Sequence, residues 1–146
     1  MSAIDAHGLP VEWAVLQNNI EQYERSGLLI KLAAVALFIG ALVFALSEVL
    51  TGALILILWV QEAVLRTFQS RLVKRILKIE EMLRQAGGAA FQLHSDWMAS
   101  RRGAPGMLVE YAAAALRPTV AFPYVVLLLI DLALFASSAG NGAVTI

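Results

Sequence analysis

The chain has 146 residues, of which 60% are hydrophobic and only 15% charged. Ordinary soluble domains hold ~45–50% apolar and ~25% charged residues, so the composition is that of a membrane protein. Eleven bases balance eleven acids and there is no cysteine. No net field therefore draws nucleic acid, and a disulfide framework, a thiolate metal site and a cysteine nucleophile are excluded.

Residues 1–27 read as an N-terminal amphipathic helix outside the membrane. Pro10 suits a helix start, and Trp13, Leu16, Ile20 and Tyr23 recur at 3-4-3 spacing along one face. Glu12, Gln17, Asn18, Glu21 and Glu24 fall on the other faces, and Ser26-Gly27 offers a kink or short break. The first transmembrane helix is predicted over 28–47, LLIKLAAVALFIGALVFALS. Twenty residues of helix span ~30 Å, the thickness of a bilayer's hydrocarbon core. The acids preceding it have the wrong sign for the basic region of a signal peptide. Ala36 and Gly40 lie in small-xxx-small spacings that let another helix approach closely.

The second span, 49–66, is less uniform. Its apolar run ends at Val60, and Gln61, Glu62 and Arg66 follow. The link before it is short enough for a tight helical hairpin. The helix is expected to continue over 67–86, because Leu65, Phe68, Leu72, Ile76, Ile79 and Leu83 keep a 3-4-4-3-4 spacing with no Pro or Gly before Gly87-Gly88. One helix from about Val49 to Ala86 is on the order of 55 Å long.

Residues 1–27 hold Asp5, Glu12, Glu21 and Glu24 against Arg25, whereas 66–86 holds six bases against Glu80 and Glu81. Opposite charge and two apolar stripes suit an antiparallel, coiled-coil-like pair with Leu72, Ile76 and Ile79 in its seam. The alternative is that each helix lies on the membrane surface. Arg71, Lys74, Arg75 and Lys78 make a basic face that is either solvated or placed to meet anionic lipid headgroups or a partner.

Residues 87–117 read as a loop with Phe91 and Trp97 as interfacial anchors, then a short helix from Met107 to Arg117. The third span is 119–138, with Pro118 at the first helical position, and 139–146 is a small, uncharged, frayed tail. Nine of the eleven bases, all but Arg25 and Lys31, lie between Arg66 and Arg117, while the turn after the first span has Glu48 and no base. The positive-inside rule then makes 66–117 and the N-terminus cytoplasmic and the C-terminus extracytoplasmic. Compact loops and a small tail suggest a bacterial inner (plasma) membrane.

Four ionisable residues strain this layout. Lys31, Glu62 and Arg66 fall at similar depth near the cytoplasmic headgroups, with Arg66 at the favourable i, i+4 spacing from Glu62, and form a neutralising cluster. Asp131 lies ~18 Å from the cytoplasmic boundary, beyond the midpoint and level with Gly40 and Ile57, where no base is offered. A carboxylate at a helix centre costs ~2.5–3.5 kcal/mol, so Asp131 is expected to be protonated, wet, paired with another chain, or part of a proton path.

His7 and His94 are far apart, no phosphate-cradling glycine loop is present, and the adjacent residues His94, Ser95 and Asp96 point in different directions and make no triad. No metal or cofactor is expected. The sequence thus predicts an all-α integral membrane protein with three transmembrane helices, the first two forming a hairpin that extends into the cytoplasm. The expected role is a non-enzymatic accessory, assembly or scaffold subunit that sits in a lipid bilayer with a protein partner or further copies of itself. An oligomeric ion or proton channel or transporter component, and a membrane-permeabilising effector or its regulator, are the alternatives.

Overall fold

The structure, a computed structural model, describes residues 3–84 and 104–142, and the side chains of 8–84 and 105–138. Four helices make up the described chain: α1 (Ala3–Val43), α2 (Glu48–Arg84), α3 (Ala104–Ala115) and α4 (Pro118–Gly142). Helices α1, α2 and α4 are each long and apolar enough to cross a membrane. Their outward side chains, Leu28, Leu32, Ile39, Ile57, Phe122 and Leu129 among them, are exposed. So large an apolar surface suits lipid rather than water, and the protein is membrane-embedded.

Helices α1 and α2 contain 41 and 37 residues. At 1.5 Å per residue each is about 55–60 Å long, nearly twice a hydrocarbon core. They run antiparallel in one register. Trp13 meets Glu80, Glu24 meets Gln69, Gly27 meets Arg66 and Lys31 meets Glu62. Each step forward along α1 is matched by an equal step back along α2.

Two apolar clusters lie on this axis. One joins Ala34 and Phe38 of α1, Ile55 of α2, and Tyr124 and Leu127 of α4. The other joins Leu9 and Leu16 of α1 to Ile76 and Ile79 of α2, with Ile20, Leu72 and Met82 packed on it. Between them α2 buries a polar face, Glu62, Thr67 and Gln69. The predicted stripe therefore holds at Leu72, Ile76 and Ile79, whereas Phe68 and Leu83 point outward.

The α1–α2 connection is defined by its caps. Ala45 adopts a left-handed backbone (φ 50°), and the Leu46 N–H bonds back to the Ala41 carbonyl at 3.0 Å, closing α1 as a Schellman motif. Ser47 then caps α2, its hydroxyl oxygen accepting the Leu50 N–H at 3.4 Å, with Glu48 favourably placed in the first turn. At the other connection Pro118 opens α4 as expected, and the Arg117 carbonyl accepts the N–H groups of Val120 and Ala121.

Several expectations are corrected. Helix α1 begins ahead of Pro10 and runs unbroken through Ser26-Gly27. The Ser26 hydroxyl bonds back to the Gln22 carbonyl, and Gly27 gives room to Arg66, whose guanidinium lies 3.1 Å from where a Cβ would sit. The third helical span continues to Gly142, so the proposed frayed tail is helical over 139–142. Short helix α3 starts at Ala104 and ends at Ala115, because residues preceding a proline disfavour helix. The Gly87-Gly88 stop and the anchors Phe91 and Trp97 lie outside the described residues.

Candidate functional site

The polar layer centres on Glu62, whose residue is 0% exposed. Its Oε1 receives Lys31 Nζ of α1 at 3.3 Å and Arg66 Nε at 3.4 Å, and its Oε2 accepts the Tyr124 hydroxyl of α4 at 2.8 Å. A buried carboxylate persists only when paired and hydrogen-bonded, and three elements of the chain meet that need here. Trp59, three residues before Glu62, stacks on Tyr124 (centroids 6.1 Å apart, planes at 9°) and donates its indole N–H to the Ala115 carbonyl at 3.1 Å. That fixes the phenol and ties the end of α3 to α2. Arg66 Nη1 donates to Gln69 Oε1 at 2.8 Å, and Gln69 Nε2 donates to Glu24 Oε1 at 3.4 Å.

Lys31 has a second partner, the Thr119 carbonyl, at 2.7 Å. In a regular helix that oxygen belongs to the N–H of residue 123, and residue 123 is a proline. The proline inside α4 thus releases an acceptor, and the ammonium occupies it.

A second buried pair lies outside the apolar spans. Arg75 grips Glu12 with two parallel bonds, Nε to Oε1 at 2.7 Å and Nη2 to Oε2 at 2.9 Å, and both side chains are buried. This corrects two sequence expectations. Glu12 sits on the inner face rather than an outer one, and Arg75 leaves the basic face. The cause is that an arginine adjacent to Ile76 reaches past the seam to a carboxylate facing it. Lys74 and Lys78 remain on the outside, and Arg71 lies over the Phe68 ring, 4.8 Å from its centroid.

Asp131 is set apart from these. It is 8% exposed, and no described residue forms a hydrogen bond or ion pair with its side chain. Its Oδ2 lies 2.9 Å from where a Cβ of Gly52 would be, so the absent side chain at 52 makes room for the carboxylate. The neighbour is thus Gly52, in the second turn of α2, rather than the expected Ile57 and Gly40. The mismatch arises because Tyr124 stacks on Trp59, and seven residues on along α4 and seven back along α2 bring Asp131 level with Gly52. Asp131 and Glu48 line an open pocket of ≈ 570 Å³ there.

Ala36 and Gly40, two of the small residues expected to pack, do not pack within the chain. Ala36 is exposed, and nothing lies within 4 Å of a Cβ built on Gly40. Ala34, Phe38 and Ala41 supply the inner face of α1 instead. Tyr124, Glu12, Gln69 and the Thr119 carbonyl are the site groups that sequence reasoning missed. A usable signal existed for the last, in Pro123 one turn after Thr119. Among the described residues no three His, Cys, Asp or Glu side chains converge to hold a metal ion. No family model matches the chain, and neither the curated proteins nor the solved structures contain a match.

Proposed function

We propose that the chain is a non-catalytic scaffold or assembly subunit of a larger complex in a bacterial inner membrane. In this reading α1 and α2 form a hairpin that projects into the cytoplasm, with the N-terminus inside and the C-terminus outside. The observation that carries it is the buried Glu12–Arg75 pair, together with the apolar cluster around Ile76 and Ile79. Both lie beyond the length a bilayer requires, so the paired helices form a stiff arm rather than two loose ends. A stiff arm with Val11, Val15 and Leu77 exposed presents apolar anchors to a partner. Lys31 and Arg66 both converge on Glu62 from within the spans, which supports an anchoring role for that layer.

Purification of the tagged chain in mild detergent tests this. The expected result is a partner in fixed stoichiometry that is lost from Leu77→Glu and Val15→Lys while both variants remain folded. A homo-oligomer that conducts ions in liposomes overturns it in favour of the channel reading.

A further inference from the structure

The pocket at the α1–α2 connection has a lining of one chemical sense. Its charged residues are Glu48 and Asp131, and no basic residue lines it. The hydroxyls of Thr51, Ser137 and Ser138 donate to the carbonyls of Ser47, Leu134 and Phe135. With those protons committed, the three oxygens have only lone pairs left to offer. The Ser47 oxygen already accepts a backbone N–H. Apart from the Ser47 hydroxyl proton, a ligand here meets acceptors and negative charge, which selects a donor-rich cation.

Asp131 gives the independent pointer. The residue is 8% exposed and lines the pocket, and no described residue forms a hydrogen bond or ion pair with its carboxylate. The intramembrane bases Lys31 and Arg66 are held at Glu62, well along α2 from Gly52, and cannot serve it. The remaining walls include Leu42, Leu46 and Leu134. A hard metal ion favours a cluster of charged oxygen ligands, whereas only two carboxylates line this pocket and among the described residues no three His, Cys, Asp or Glu side chains converge. A volume of ≈ 570 Å³ instead falls within the ~300–1,000 Å³ typical of small-molecule sites.

We propose that this pocket binds an amphipathic organic cation, with a primary ammonium or guanidinium head on Asp131 and Glu48 and its hydrocarbon along Leu42, Leu46 and Leu134. Its place beside the connection between two spans puts the mouth near the membrane interface.

The test uses the full-length chain in lipid nanodiscs, titrated with radiolabelled phenylethylamine against protein-free discs. Saturable binding is expected, weakened at least tenfold by Asp131→Asn, to a lesser degree by Glu48→Gln, and unchanged by Lys74→Gln. Tetraphenylphosphonium, which has no N–H, should compete poorly. Equal binding by the wild type and Asp131→Asn overturns the proposal, as does competition by sodium or calcium chloride but not by other alkylamines. If the wild type binds no amine and Asp131→Asn breaks an oligomer apart, the cation belongs to a neighbouring subunit and the small-molecule site is refuted.

Discussion

At Glu62 a single carboxylate holds together α1, α2 and α4, so its removal has a different cost from that of any one partner. Glu62→Ala leaves Lys31 and Arg66 facing each other without a counter-charge, and breaking a buried pair from one side costs about 3–5 kcal/mol. Tyr124→Phe removes one neutral donor and keeps both cations satisfied. Hydrogen bonds between membrane helices are worth about 0.6 kcal/mol on average and rarely exceed 1.7. Unfolding in detergent, followed by circular dichroism, should therefore show a loss several-fold larger for Glu62→Ala than for Tyr124→Phe. The proximity of Lys31, Glu62 and Arg66 was legible because helical rise converts residue number into depth. Tyr124 was not, because its depth is as easily read as that of one more apolar ring. Only the facing carboxylate reveals that its hydroxyl is used.

Among the elements, the α1–α2 pair is held by two apolar clusters, the Lys31–Glu62 and Glu12–Arg75 ion pairs and one strained turn. Arg75→Ala removes both charge-assisted bonds to the buried Glu12 carboxylate and is expected to cost about 3–5 kcal/mol. The reversed pair, Glu12→Arg with Arg75→Glu, should recover part of it, and cysteines at Leu16 and Ile76 should cross-link in wild type faster than in Arg75→Ala. Ala45 at φ 50° occupies a region that costs an L-residue about 1–2 kcal/mol. Ala45→Gly should raise the stability measured in the same unfolding assay by about 1 kcal/mol, part of the relief being offset by glycine's greater freedom when unfolded. The helices themselves were readable, since apolar length and the 3-4 spacing are properties of single segments. What one segment cannot disclose is how far a long side chain reaches. Counting faces therefore put Glu12 and Arg75 on the surface, where their partners are invisible.

For the molecule as a whole, the uneven spread of charge matters more than the zero total. Nine bases crowded between Arg66 and Arg117 set the proposed orientation, and the absence of native cysteine makes it directly measurable. In intact spheroplasts a membrane-impermeant maleimide should label Leu46→Cys and not Lys74→Cys, with Lys74→Cys reacting only after permeabilisation. The opposite pattern inverts the topology and moves the arm outside. The first and third spans were legible from apolar run length, whereas the second, whose run ends at Val60, was legible as a span because Gly52 to Trp59 would otherwise lack a partner surface. The position of Asp131 was not, because depth was measured from an assumed boundary for each helix. The helices set their own level where Tyr124 stacks on Trp59, and that offset brings the carboxylate beside Gly52.

The matched register of α1 and α2 also constrains how such a chain can change over evolutionary time. The spacing from Trp13 to Lys31 along α1 equals that from Glu62 to Glu80 along α2. Adding one residue inside either stretch turns everything beyond it by about 100° and moves one end of the ladder off its rungs. Deletions and insertions within these stretches are therefore tolerated only in compensating sets, while length can drift freely past either end. Homologous chains should differ in size outside this ladder and keep its two rails equal.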